Sequence, residues 1–265
     1  MIDIKKIYVI GNGNVGSHLY KKLKDVGFIV ELIGGRDFIS EKIFIEISDD
    51  NSIDSNFSNN KTLYIIAVAD KYIADIANKI NGIYNNDYSK NSSIYWIHTS
   101  ANFDETTLLK HHNKATFYPF QTFTKNINID WSHLPIIINS ENKEFEKILS
   151  EIAYKLTDTV LFYTKEQLSW LHIAAVFACN FSNHLWSISE DILQKHNIDF
   201  NIIKPLLYQS LNKIETISLE EAQTGPAIRK DKHTLRKQLS MLTPWYRKIY
   251  KTLTKSIQIK IQIKN

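Results

Sequence analysis

The chain has little of several things, and each shortage excludes something. Its 265 residues include one cysteine, Cys179, two methionines, five prolines and eight glycines. A lone thiol cannot close an internal disulfide or furnish a CxxC zinc site, so structural zinc is excluded and a reducing compartment is expected. No apolar run approaches the roughly 18 residues of a membrane span, and the mean hydropathy is −0.25. Charge of one sign is also scarce: 32 basic against 28 acidic residues leave a net +4. That excess is too small and too dispersed for nucleic acid to be the main partner. The opening MIDIKKIYVIGNGN enters a strand-like run at once, which leaves no place for a signal peptide. The expected location is cytoplasmic.

What is present reads as one or two soluble domains. Ile7 to Ile10 is a short apolar run that ends in GNGNVG, and Val15, Leu19, Leu23 and Val26 then recur at helical spacing up to Gly27. Phe28 to Ile33, Leu63 to Val68 and Ile94 to Ile97 repeat the continuous apolar pattern of strands covered on both faces. Ala115 to Tyr118, Leu134 to Ile138 and Val160 to Tyr163 add further strands, with a helix at Phe145 to Tyr154. This alternation predicts an α/β unit, a doubly wound, mostly parallel Rossmann sheet, over 1–163.

At Thr164 the pattern changes. TKEQ is a capping box that opens a helix running to about Leu193, and helices at 199–216, 229–240 and 244–256 follow, with a second capping box, SLEE, at Ser218 to Glu221. Residues 164–265 are therefore expected to form an all-α domain. Apolar residues lie on nearly every side of Leu168 to Leu193, more than so small a domain can cover by itself, which predicts a homodimer. The tail IQIKIQIKN alternates as a strand would, and reads either as a strand for a sheet edge or as a frayed basic terminus. The Asn-rich stretch 49–60 is expected to be an exposed loop.

Three of the eight glycines fall within six residues, Gly11, Gly13 and Gly16, in G-N-G-N-V-G between a strand and a helix. In that context the motif binds a dinucleotide: the first glycine makes the turn, the second admits the pyrophosphate and the third lets helix pack on strand. Gly11, Asn12, Gly13, Asn14, Val15 and Gly16 are the expected cofactor residues, with Ala69 and Asp70 after the LYIIAV strand. Where an NAD protein has a carboxylate for the ribose, the chain reads Gly34, Gly35, Arg36, Asp37; a guanidinium there suits the 2′-phosphate of NADP. Further clusters follow strands at 98–101 (HTSA) and 118–123 (YPFQTF), which places His98, Ser100, Gln121 and Thr122 at the crevice beyond the strand ends. His98 fits either a proton donor or a satisfied structural histidine. Asn180, Asn183 and His184, at i, i+3 and i+4, share one helix face and either satisfy one another in a core or hold substrate. The pair His111 and His112 has no third ligand at useful spacing, and no metal is assigned.

The stretches GNGNVGSHL, AVAD, HTSA, YPFQTF, HIAAVFACNFSNHL (172–185) and AQTGPAIRKD (222–231) together resemble a family of NADP-dependent oxidoreductases with a Rossmann-like domain and an uncharacterised helical domain. These are distantly similar to pyrroline-5-carboxylate reductase and to the 6-phosphogluconate and hydroxyacid dehydrogenases. The resemblance covers nearly the whole chain. It implies a helical domain like the C-terminal one of 6-phosphogluconate dehydrogenase, NADP at Gly11 to Gly16 and Arg36, and hydride transfer to or from the C=O or C=N of a small polar metabolite. The hydroxyacid dehydrogenases carry a lysine one turn before the helix asparagine, and here that position is Val176, so His98, His184 or Lys213 would have to supply a proton, or the substrate would be an imine that arrives protonated, as in the reductase branch. A non-catalytic NADP-binding sensor is the alternative, since fold does not fix function.

Overall fold

In a computed structural model the described residues are 4–34, 61–76, 94–103 and 113–262. The Asn-rich stretch and His111 and His112 fall outside them. Among the described residues seven strands form one sheet: β1 (Ile4–Ile10), β2 (Val30–Ile33), β3 (Lys61–Ile66), β4 (Ile94–His98), β5 (Lys114–Pro119), β6 (Ile136–Asn139) and β7 (Val160–Phe162). Their order is β2-β1-β3-β4-β5-β6-β7, and every pairing is parallel except β5 with β6. The chain steps outward from β1 to β2 and then returns past β1 to β3, so the strand order reverses beside β1. That reversal opens a crevice at the carboxyl ends of β1 and β3.

Strand alternation sorts the side chains onto two faces. Ile7, Val9, Leu63, Ile65, Ile97, Phe117, Ile136 and Ile138 form the larger core with Leu19 and Leu23 of helix α1 (Asn14–Asp25) and Phe145, Leu149 and Ile152 of helix α2 (Lys143–Tyr154). On the other face Tyr8, Tyr64 and Trp96 stand opposite one another in register and stack, with ring centroids 5.2 and 4.4 Å apart. Farther along the sheet, Ile137 and Tyr118 meet Leu168 and Leu171 of helix α3 (Lys165–Ala175). Burial of both faces explains why these strands read as unbroken apolar runs.

Helix α3 begins where the capping box predicts. The Thr164 hydroxyl accepts the Gln167 amide at 3.2 Å, and the Gln167 side chain accepts the Thr164 amide at 2.8 Å. Its helical course continues, but as a π-helix over Val176–Phe181, before helix α4 (Ser182–Gln194). The continuous α-helix expected to Leu193 is thus interrupted by a wider turn. Two compact units divide here, Met1–Phe177 and Ala178–Asn265, one helix later than the change of pattern at Thr164.

The second unit is helical: α4, α5 (Lys204–Thr216), α6 (Lys232–Met241) and α7 (Pro244–Gln262). The expected helix at 199–216 begins with a 3-10 turn, Phe200–Ile203. The SLEE box forms its bonds, Ser218 Oγ accepting the Glu221 amide at 3.2 Å and the Glu221 carboxylate accepting the Ser218 amide at 3.1 Å. It caps only a turn, and the next helix starts at Lys232 with Asp231 as its cap. The alternating tail is neither strand nor frayed end as far as Gln262, because α7 runs through it. The Arg247 guanidinium donates to the Leu239 and Leu242 carbonyls at 2.9 and 3.1 Å and ties α7 to the end of α6.

Candidate functional site

The site is built on the turn after β1. The Gly11 amide donates to the Ile33 carbonyl and the Ala67 amide to the Ile10 carbonyl, both at 2.8 Å, so the ladders on either side of β1 extend into the turn. Gly11 has φ +114°, and a Cβ there would collide with the Ala67 carbonyl oxygen. A Cβ on Gly16 would in turn strike the Gly11 carbonyl oxygen and come within 3.3 Å of the Ala67 Cβ. Turn, helix and neighbouring strand thus close on each other without room for a methyl group. At Gly13, the N-cap of α1, a Cβ would meet nothing within 4 Å. Backbone amides at an uncluttered helix N-terminus form an anion cradle, and the first turn of α1 carries no acidic side chain to oppose one.

A cleft of about 880 Å3 lies over this turn. Gly11, Asn12, Gly13, Asn14 and Val15 line one side, and Ala67 to Asp70, Tyr72, Asp75, Ile76 and Thr99 the rest. Gly16 lies beneath, in the helix-to-strand contact. Of the residues singled out in the sequence, Ala69 and Asp70 are at the cleft; Tyr72, Asp75 and Ile76 were not singled out, because they belong to the short 3-10 and helical turn of Asp70 to Ile76 that the LYIIAV run does not announce. Arg36 is outside the described residues. A dinucleotide fits what is present: a glycine cradle for the pyrophosphate, and an apolar and aromatic wall, Tyr72 and Ile76, beside it.

The HTSA and YPFQTF segments follow the neighbouring strands. His98 pairs in register with Thr116 and is fully buried. Its Nδ1 accepts the Ser100 amide at 3.3 Å and its Nε2 lies 3.2 Å from Thr116 Oγ1, so Nε2 carries the proton and donates it. Both ring nitrogens therefore have partners inside the sheet, which fits the structural reading of His98. Ser100, expected at the substrate, is likewise buried, and its Oγ accepts the amides of Asn102 and Phe103 at 3.2 Å. It holds the turn after β4. Gln121 and Thr122 are exposed, and the Gln121 side-chain oxygen accepts the Thr122 amide at 2.8 Å. The same segment is fastened to α1: the Lys125 amide donates to the Asn14 side chain at 3.2 Å, and His18 Nε2 bonds the Thr124 carbonyl at 3.0 Å.

One polar pair escaped the sequence reading. The Tyr118 hydroxyl and His172 Nδ1 are 3.0 Å apart, and both residues are half-buried. Burial first, and then the Asp70 carboxylate, raise the Tyr118 phenol above its usual value, so it stays protonated. The two residues are 54 positions apart, and only the packing of α3 on β5 joins them.

The second unit holds the remaining candidates. Asn180 lies in the π-helical turn and Asn183 and His184 in the first turn of α4; all three are exposed in the single chain, and Lys213 of α5 is half-buried. Among the described residues no group of three or more His, Cys, Asp or Glu is placed to hold a metal ion, and no helix is long and apolar enough to cross a membrane.

The sheet order, the closed glycine turn and the cleft above it define a Rossmann-type nucleotide-binding protein with a helical second unit. Among solved structures, the chain is 30% identical to a protein of Bacteroides fragilis provisionally assigned as an NADP oxidoreductase, with a TM-score of 0.79 over 97% of this chain and 99% of that one. It belongs to that protein's family. Residues 134–257 match the family model of a domain of unknown function, DUF2520, which takes in β6 and β7 as well as the helices. More remote structures share the fold: a semialdehyde dehydrogenase NAD-binding protein from Cupriavidus necator in complex with calcium and NAD (15% identity, TM-score 0.55, 96% and 98% covered), and Plasmodium falciparum pyrroline carboxylate reductase with NADP bound (14%, 0.52, 98% and 97%). No curated protein matches the chain.

Proposed function

We propose that the protein is an NADP(H)-dependent oxidoreductase that moves a hydride to or from the C=O or C=N of a small polar metabolite. The observation that carries this reading is the glycine turn at the reversal of strand order, closed to a methyl group at Gly11 and Gly16 and open at Gly13 beneath the cleft. The 30% identical relative bears an NADP oxidoreductase assignment, and the plasmodial reductase holds NADP, which supports the phosphorylated cofactor. Within the chain, Gly11 to Gly16 would hold the pyrophosphate, Asp70 would lie at the cleft edge, and Arg36 would pair with the 2′-phosphate. Gln121 and Thr122 are the proposed polar groups for the substrate. The cofactor brings the hydride chemistry, and the protein binds, orients and excludes water.

Fluorescence titration with NADPH and NADH tests the reading. NADPH is expected to bind more tightly, and Arg36→Ala to weaken NADPH about tenfold while leaving NADH nearly unchanged, the effect of losing one charge-assisted pair. Equal affinity for the two cofactors would remove Arg36 from the site. Failure to bind either would remove the reading itself.

A further inference from the structure

We propose that Tyr118 and His172 form the proton-delivering pair of this site, Tyr118 as the catalytic acid and base and His172 as the group that recharges it. The proposal rests on the cofactor reading above and goes beyond it by assigning the proton, for which the chain has no lysine at Val176.

Placement carries the argument. Thr116 stands opposite His98 at the end of β4, and their side chains meet, so they share a face of the sheet. Tyr118, two residues on, points to that same face and lies one step beyond the level of Thr99, which lines the cleft. Asp70 lines the cleft, and its carboxylate is the second cause, after burial, that raises the Tyr118 phenol. The remaining cover is largely apolar: Ala101, Leu168, Leu171 and the ring of Tyr163. Among the described residues, Asp70, His172 and Tyr163 are titratable groups associated with the phenol. A neutral phenol held in such a setting, with an imidazole at 3.0 Å, is built to give up a proton and regain it.

When bound, the cofactor supplies a hydride with its electron pair to the unsaturated carbon and is oxidised. The displaced π pair moves to the substrate oxygen or nitrogen, and Tyr118 gives that atom its hydroxyl proton. The phenolate then takes the Nδ1 proton of His172, which enters as imidazolium and leaves as neutral imidazole. His172 is half-buried, so solvent can reprotonate it. In the oxidative direction each transfer reverses.

The test needs no substrate. Oxidised nicotinamide is a cation and reduced nicotinamide is neutral, so a histidine that recharges the proton donor of this site is expected to sense the difference. Histidine 15N spectra of the full-length protein are titrated from pH 5 to 9 with saturating NADP+ or NADPH. The His172 signal is identified by its absence in His172→Gln, or by its displacement in Tyr118→Phe if the first variant folds poorly. The midpoint of His172 is expected to fall by about one unit or more with NADP+ relative to NADPH. In Tyr118→Phe the Nδ1 shift is expected to change while both cofactors still bind. Binding of both cofactors with the same His172 midpoint would overturn the pair and leave the cofactor reading intact. Absence of binding would overturn both.

Discussion

Gly11 shows how a single residue can be required twice, by its own backbone and by its neighbour's. Its φ of +114° lies where side chains are strained, and the Ala67 carbonyl occupies the space a methyl group would need. Gly11→Ala is therefore expected to destabilise the fold by roughly 2–3 kcal/mol, read by urea unfolding. Gly13→Ala, with open space at its Cβ and an extended backbone, should cost far less stability and act on cofactor affinity instead, read by titration. The motif was legible because a tight turn between strand and helix accepts so few residue types. The difference between His98 and Tyr118 was not. Both follow apolar runs, and only the pairing of β4 with β5 and the packing of α3 decide which has its polar atoms committed within the sheet and which meets a partner from α3.

At the scale of elements, two sequences with the same capping signature behave differently. TKEQ precedes a helix that packs Leu168 and Leu171 against the sheet, and the cap works with that burial. SLEE makes its reciprocal bonds yet starts no helix, because Gly225 and Pro226 follow within a few residues. Thr164→Ala should accordingly lower stability by about 1 kcal/mol in chemical unfolding. The tail illustrates the opposite case. IQIKIQIK has strand periodicity, but it continues a helix already formed from Pro244, and adding a residue to an existing helix fixes it while gaining a bond. The π turn over Val176–Phe181 left no mark in the composition, since a wider turn is set by how the flanking segments pack.

For the molecule as a whole, the distribution of apolar surface argues for a second copy. Among the described residues of the second unit only Ala227 and Leu235 are buried apolar residues, while Trp186, Leu206, Leu211 and Ile214 are exposed, Leu206 at 63%. Trp170 of α3 and Phe177 of the π turn add to this, at 63% and 65%. So little core cannot hold a helical unit of this size, and exposed apolar surface on that scale marks an interface. We therefore propose a homodimer, expected in light scattering at twice the 30.8 kDa of the chain. Leu206→Asp should move the mass toward one chain and lower thermal stability together, because association and folding are linked in such dimers. A wild-type protein that stays monomeric at micromolar concentration would reject this arrangement.

By itself the sequence determined the alternation of strand and helix, the nucleotide-binding turn, the onset of the helical half and, through its resemblance, the family. Each of these is written in short range, as a period of two or 3.6 residues or as a glycine that a turn demands. The tertiary structure alone decided that His98 and Ser100 hold a turn, that Tyr118 meets His172, and that the helix carrying Asn180 widens before Asn183. Those facts depend on which strand lies beside which and on how a helix settles on a sheet, and neither register nor packing is encoded in the spacing of residues along one segment.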